Sequence, residues 1–273
     1  MAGHEMMIGL PRADAEQDPT TVSEGVAYTI KKIREHLVAG EGPKLRLLPE
    51  QITIDKVLEQ LPEQQILPRG GGDMILGVEE SRLGPLMFNT RSESHLYLFG
   101  DSKTGKTTFL RSIIKEITRL YTPGEAKIVA LDMRRSLMGE IPKDYTLRYM
   151  TNHQAAMKDM RELAQFLRER LPGPNVTAEQ IRERSWWTGP ELWVLVDDYD
   201  LANTTSGNPL AELVDLLPQA GDIGLHLIIT RRMGGAARAS FEKVLQMMGD
   251  LAVTGILLSG NPSEGAIING VKP

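Results

Sequence analysis

The chain of 273 residues has no cysteine. That excludes disulfides and thiolate metal sites and fits a cytosolic compartment. No apolar run approaches the roughly 18 residues of a membrane span, so no transmembrane segment is expected. The N-terminus lacks a basic region followed by an apolar core, so no secretory signal is expected. Basic charge is in short supply: 31 Lys and Arg stand against 36 Asp and Glu, for a net charge of −5. That balance argues against a wide nucleic-acid surface, which would carry a basic patch. His4, His36, His95, His153 and His226 lack metal-ligand spacing. There is no Ser/His/Asp array, no dinucleotide fingerprint and no repeat at solenoid periods.

What remains is an ordinary globular composition, 41% hydrophobic and 25% charged, long enough for one large α/β domain or for one domain with an appendage. Its organising stretch is Gly100-Asp101-Ser102-Lys103-Thr104-Gly105-Lys106-Thr107, which fits G-x-x-x-x-G-K-[ST] at every fixed position. The apolar run 96–99 precedes it as a strand. Phe109, Leu110, Ile113, Ile114, Ile117 and Leu120 follow at helix spacing. Glycines at 100 and 105 let the backbone curl so that successive amides face one concavity. That nest and the positive end of the next helix favour a polyanion. Residues Gly100 through Thr107, with Thr108, are the expected phosphate cradle. Lys106 would reach the terminal phosphates and Thr107 would ligate Mg²⁺, so ATP and Mg²⁺ are the expected ligands.

Residues 1–19 read as a flexible N-terminus, part of it resembling a tag. Residues 20–65 read as a helical and strand extension packed on the core, with a helix from about Thr20 to Gly40, a short strand at 45–48, and a helix from Ile54 stopped by Pro62. Residues 66–273 read as the core. A loop at 69–72 leads to a hairpin of 74–78 and 85–88 ahead of the phosphate loop. The strand 127–132 ends in Asp132, well placed to face the site. Asn152 reads as a helix N-cap. Residues 192–198 form an apolar strand ending in two acids, the pattern of a Walker B strand. Asp197 would hold Mg²⁺ and Asp198 would polarise the attacking water. A helix is expected at 210–217. The strand 224–230 ends in Thr230, a candidate γ-phosphate sensor. Arg231 and Arg232 read either as arginine fingers for a neighbour or as solvated strand-exit residues. His226 reads as a core histidine, and Trp186 and Trp187 as packing anchors or an exposed partner site. A helix at 237–247 and a closing hairpin of 253–258 and 266–268 complete the expected elements. The fold class is α/β, a P-loop NTPase with a mostly parallel central sheet flanked by helices.

These stretches resemble the FtsK/SpoIIIE branch of P-loop ATPases. The fragments are Leu86-Met87-Phe88 ahead of 95–100, and the run Leu216 to Leu227 before the sensor strand. Residues 81–86 and 257–265 resemble EccC-type ATPases of mycobacterial type VII (ESX) secretion, particularly their C-terminal module. The resemblance covers about residues 20–273. It implies tandem ATPase modules at the inner face of the cell membrane, a hexameric ring, and docking of WXG100-type secreted helical-hairpin pairs. Active members place Glu after the Walker B Asp, whereas Asp198 stands here. One methylene less could misplace the water by about 1 Å, at a cost of about a hundredfold in rate. ATP·Mg²⁺ binding with weak or absent turnover is therefore expected. A DNA translocase of the same superfamily is the alternative, which the acidic charge disfavours.

Overall fold

The computed structural model describes residues 12–36, 47–61, 72–268 and 270–273. They fall into two compact units, divided between Leu47 and Leu48. Residues 1–11 of the expected flexible N-terminus, the helix end near Gly40 and the stop at Pro62 lie outside the described residues. So do residues 45–46 of the expected 45–48 strand and 69–71 of the 69–72 loop. In the first unit, a 3₁₀ turn at Pro19–Thr21 leads into α1 (Val22–His36). The Asp18 carboxylate accepts from the Thr20 amide at 2.9 Å, so a capping acid followed by Pro opens the helix where expected.

The second unit contains, in order, α2 (Ile54–Leu58), β1 (Asp73–Val78), β2 (Pro85–Asn89), β3 (His95–Phe99), α3 (Lys106–Leu120), β4 (Ala126–Asp132) and β5 (Thr146–Met150). There follow α4 (His153–Arg168), α5 (Ala178–Glu183), β6 (Glu191–Asp197), α6 (Tyr199–Ala202), a 3₁₀ run (Pro209–Gln219), α7 (Ala220–Ile223) and β7 (Leu225–Arg231). The unit closes with α8 (Ala236–Ala239), α9 (Lys243–Asp250) and β8 (Thr254–Leu257). β1 and β2 pair antiparallel, as expected. The other six strands form one sheet in the order β5-β4-β6-β7-β3-β8, and every pairing in it is parallel.

A parallel sheet is covered on both faces, which is why its strands read as unbroken apolar runs. The side-chain period of two divides them between two cores. From β6, Leu192, Val194 and Val196 pack with Leu163, Leu167, Leu213 and Leu217. Trp193 and Leu195 pack on the opposite face with Leu110, Ile113, Ile117 and the hairpin residues Met74 and Phe88. A buried carboxylate fastens that hairpin. Glu116 of α3 accepts from the Ile75 amide at 2.8 Å and pairs with Arg119 at 2.5 Å. Asn152 caps α4 as expected, accepting from the Ala155 amide at 2.9 Å.

Three expected elements differ. The 210–217 segment winds as 3₁₀ rather than α-helix. Leu210, Leu213 and Leu216 recur every third residue, which makes a single buried stripe only at three residues per turn, and Pro218 has no amide for an α-type bond. The expected 237–247 helix is two helices. Glu242 is extended between them and accepts from the Asn203 amide group at 2.5 Å. The closing hairpin does not form. β8 pairs parallel with β3, and the chain turns through a 3₁₀ turn at Pro262–Glu264. Ile268 packs face-on against Gly255, where a Cβ would come within 2.5 Å of Ile268 Cδ1. Side-chain packing on the sheet face thus replaces backbone pairing at its edge.

Candidate nucleotide site

The carboxyl ends of β3, β4, β6 and β7 converge on one place, because a parallel sheet delivers all its strand ends to one edge. At β3 the chain leaves through Gly100. A Cβ there would lie 2.5 Å from Thr104 Oγ1 and 2.9 Å from Leu258 Cβ, so only glycine admits this approach. The Gly100 amide donates to the Arg231 carbonyl at 3.1 Å and the Asp101 amide to the Ser259 carbonyl at 3.0 Å. Gly105, with φ +108°, starts α3 without a side-chain cap, and a Cβ on it would meet nothing within 4 Å. Among the described residues, the amides of 102–107 have no protein acceptor. The loop is therefore strapped at its base and open at its donors, the form of an anion cradle.

Beneath it lies a mesh of hydroxyls on carboxylates. Thr107 Oγ1 donates to Asp197 Oδ2 at 2.8 Å, and Thr230 Oγ1 to Asp197 Oδ1 at 2.8 Å. Ser136 Oγ lies 2.6 Å from Asp197 Oδ2 and 3.0 Å from Asp132 Oδ1, one proton between two acids. Thr230 also accepts from the Asp198 amide at 3.0 Å. Asp198 sits at φ +53°, a strained region that Asp tolerates better than most residues, and this bond helps hold it there.

The charged groups are less well satisfied. Lys106 Nζ donates to the Asp101 carbonyl at 3.0 Å and lies 3.6 Å from Asp198 Oδ1, too far for a hydrogen bond. Asp198 Oδ1 is buried without a hydrogen-bond partner among the described residues. Its other oxygen pairs with Arg134 Nε at 3.3 Å. Burial pushes the Asp198 carboxyl above its ordinary value. Lys106 pulls it back, Asp197 pushes it further and Arg134 lowers it again. Asp132 goes the other way. Burial alone would raise its carboxyl, but bonds from the Tyr149 hydroxyl at 2.6 Å and the Leu137 amide at 2.7 Å, with Ser136, hold it below the usual range.

The structure brings Lys106, Thr107, Asp197, Asp198 and Thr230 together, as their positions in the sequence suggested. Thr230 lies fully buried between the two acids rather than at an open strand end. Asp132 is fully buried too. It does not present its carboxylate openly but pins the 133–137 turn, which in turn carries Ser136 and Arg134 to the site. Sequence reasoning missed those two residues. The available signal was Asp132-Met133-Arg134-Arg135-Ser136, an acid and a hydroxyl bracketing a turn at a strand's carboxyl end. Arg231 is not solvated. It is buried and donates to the carbonyls of Arg232 and Gly234. Arg232 is half-exposed and pairs with Asp200 at 2.6 Å.

These residues fit a nucleotide and its metal. The open amides and Lys106 suit a polyphosphate. Thr107 and Asp197 offer two adjacent hard oxygens. No cluster of three His, Cys, Asp or Glu forms among the described residues. The oxygens of Thr107 and Asp197 suit Mg²⁺, which takes one or two protein oxygens and fills its shell with phosphates and water. Strand, phosphate loop, helix and an acid-tipped strand one place further along the sheet, beyond β7, together define a P-loop NTPase.

A family model narrows the class: that of the FtsK/SpoIIIE family matches residues 70–252, and the chain belongs to that family. The chain is 39% identical over 271 residues to the ESX secretion system protein EccC of Thermomonospora curvata, covering 99% of this chain and 20% of that protein. It is 37% identical to the ESX-4 secretion system protein EccC4 of Mycobacterium tuberculosis, with the same two coverages. It therefore spans about a fifth of the length of these curated relatives. Among solved structures, the cytoplasmic domain of the T. curvata type VII secretion ATPase EccC matches with a TM-score of 0.75 and 39% identity, over 96% of this chain and 30% of that one. ATPases 2 and 3 of T. curvata EccC, solved in complex with a signal sequence peptide, match with a TM-score of 0.75 and 38% identity, over 96% and 46%. The expected fold and the resemblance to EccC-type ATPases are thereby borne out. No helix among the described residues is long and apolar enough to cross a membrane.

Proposed function

We propose that this chain is a nucleotide-binding ATPase module of a type VII (ESX) secretion complex, one that binds ATP·Mg²⁺ firmly and hydrolyses it slowly. The observation that carries the reading is Lys106 beside the hydrogen-bonded set Thr107, Asp197 and Thr230, beneath a loop whose amides are unspent. Residues Gly100 to Thr108 would cradle the phosphates. Thr107 and Asp197 would hold Mg²⁺, which when bound neutralises phosphate charge. Thr230, bonded to both acids, would link their positions to the state of the nucleotide. Asp198 would be the carboxylate that polarises water. Its side chain is one methylene shorter than Glu, which supports slow turnover.

In the cell the module would work beside further ATPase modules of the same secretion protein, in a hexameric ring at the inner face of the membrane. It would dock WXG100-type secreted pairs. The relatives are secretion-system proteins, which favours this reading over DNA translocation. Calorimetric titration with ATP·Mg²⁺ and a phosphate-release assay on the same sample test it, with Lys106→Ala as control. Tight binding lost in the control, with turnover well below one per second, supports the reading; no binding by the unaltered chain overturns it. Asp198→Glu should raise turnover, and an unchanged rate would sink the side-chain-length account of slow hydrolysis.

A further inference from the structure

Two cations share one carboxylate in the mouth of the site. Asp198 offers Oδ1 to Lys106 at 3.6 Å and Oδ2 to Arg134 at 3.3 Å. Lys106 belongs to the phosphate loop, Arg134 to the turn after β4, and they meet Asp198 on its two different oxygens. Neither contact is strong: one is too long for a hydrogen bond, and Asp198 Oδ1 is buried with no hydrogen-bond donor among the described residues. A buried carboxylate oxygen without a donor is costly, so the arrangement persists because the two cations need an anion as much as Asp198 needs them.

Arg134 is built to change partners. Its backbone is fixed, since its amide donates to Asp132 Oδ1 at 3.2 Å and the next residue, Arg135, turns the chain at φ +59°. Its side chain is 53% exposed and reaches Asp198 with Nε 3.3 Å from Oδ2. Among the described residues its two terminal nitrogens make no hydrogen bond. A guanidinium fork with two free arms suits the paired oxygens of a phosphate better than a single carboxylate oxygen.

Resting on the nucleotide reading above, we propose that Arg134 is the residue that distinguishes a nucleoside triphosphate from a diphosphate. Asp198 stands in for the terminal phosphate when no nucleotide is bound. On binding, the phosphate chain takes Lys106 first, at the loop, and only a third phosphate extends far enough past Asp198 to take Arg134. Asp198 is then released from both cations. The module would read the triphosphate through its own chain, without an arginine from a neighbour.

The test is titration of the chain with ATP·Mg²⁺ and with ADP·Mg²⁺, read as affinity rather than turnover. Arg134→Ala should weaken ATP about 10–100-fold, the range of one charge-assisted hydrogen-bonded contact, and change ADP less than about threefold. Arg134→Lys should recover part of the loss, because charge is restored without the fork. Asp198→Asn should tighten ATP several-fold by removing the competing anion. Equal losses for both nucleotides in Arg134→Ala, or no loss for either, would overturn the assignment of Arg134. Unchanged or weaker ATP binding in Asp198→Asn would overturn the stand-in. Should Arg134→Ala fail to fold, Arg134→Gln carries the same two outcomes. An unaltered chain that binds no ATP would overturn the nucleotide reading and this one with it. One that binds ATP while the Arg134 variants keep its preference over ADP would overturn this one alone.

Discussion

The two ends of the central sheet both bury ionisable side chains, and they differ in what lies beside them. At the amino edge, His95 Nε2 donates to the Leu217 carbonyl at 3.2 Å while Nδ1 accepts from the Leu227 amide at 3.2 Å, which fixes a neutral ring with both nitrogens used. His226 stacks on Trp193 with centroids 3.9 Å apart and bonds Glu191 at 3.1 Å. Arg170 donates to the carbonyls of Ile223 and Pro190 at 3.0 Å each, with its guanidinium 4.1 Å from the Trp187 ring. At the carboxyl edge, Lys106 leans on a carbonyl of its own loop, Asp198 keeps an oxygen without a donor, and a run of amides faces open space. Burial by itself does not mark a site. Nor does an unpaired atom, since Arg170 Nε, His226 Nδ1 and Trp193 Nε1 also lack a hydrogen-bond partner among the described residues; the carboxyl edge differs in that Lys106 and Asp198 lie beside a run of unpaired amides.

The contrast can be broken by experiment. The largest effect should come from Asp197→Ala. It strands the hydroxyl of Thr107 and takes one of two acceptors from Ser136 and from Thr230, should cost about 4 kcal/mol in urea unfolding, and should abolish Mg²⁺-dependent nucleotide affinity. Stability within 1 kcal/mol of the parent chain would show that the mesh is not structural. Next is the amino edge in acid. Burial lowers the His95 pKa to about 4 from 6.5, so below pH 6.5 the unfolded chain takes up a proton that the folded chain refuses. Stability should fall by about 3 kcal/mol as pH drops from 6.5 towards 4 and be flat with respect to this group above that window. His95→Gln should flatten that limb in denaturant melts run across the same pH range, and an unchanged slope would contradict the neutral-ring assignment.

Lys106→Ala should weaken ATP at least a hundredfold, about 2.7 kcal/mol, while moving the melting temperature little, since the fold gives Lys106 only weak partners. A variant that unfolds instead would make Lys106 structural and erase the contrast between the edges. The smallest effect belongs to Trp187→Ala. Losing its stacking on Arg170 and its indole bond to the Asp222 carbonyl should cost about 1–2 kcal/mol in stability and leave ATP affinity within twofold. A larger loss of affinity would show that the two edges are coupled.

The phosphate loop was legible because its demands are local: glycines where the backbone must curl, a lysine and a hydroxyl at fixed offsets, and a strand and helix in sequence contact with them. The acid-tipped β6 was legible because a buried strand ending in two carboxylates is hard to explain otherwise. The closing hairpin was misread because residues 253–258 and 266–268 show the same apolar pattern whether a segment pairs at an edge or packs on a face. Arg134 and Ser136 were invisible because a turn residue has no periodicity. Their place depends on Asp132 pinning the turn, and hence on the Tyr149 and Leu137 bonds that hold Asp132. Trp186 and Trp187 could have been anchors or an exposed partner site. Both indoles donate to backbone carbonyls, Trp186 to Arg170 at 2.7 Å and Trp187 to Asp222 at 2.8 Å, which makes them anchors.

By itself the sequence determined the class of the sheet, the phosphate loop with its helix, and the pair of acids meant to face it, because each follows from period, spacing or backbone freedom within a few residues. Only the tertiary structure decided which strands are neighbours. That order places Asp197 against Thr107, Thr230 between the acids, and Arg134 across Asp198 from Lys106. Contacts between residues far apart in the chain are set by the packing of two cores on a twisted sheet, and no local pattern encodes that order.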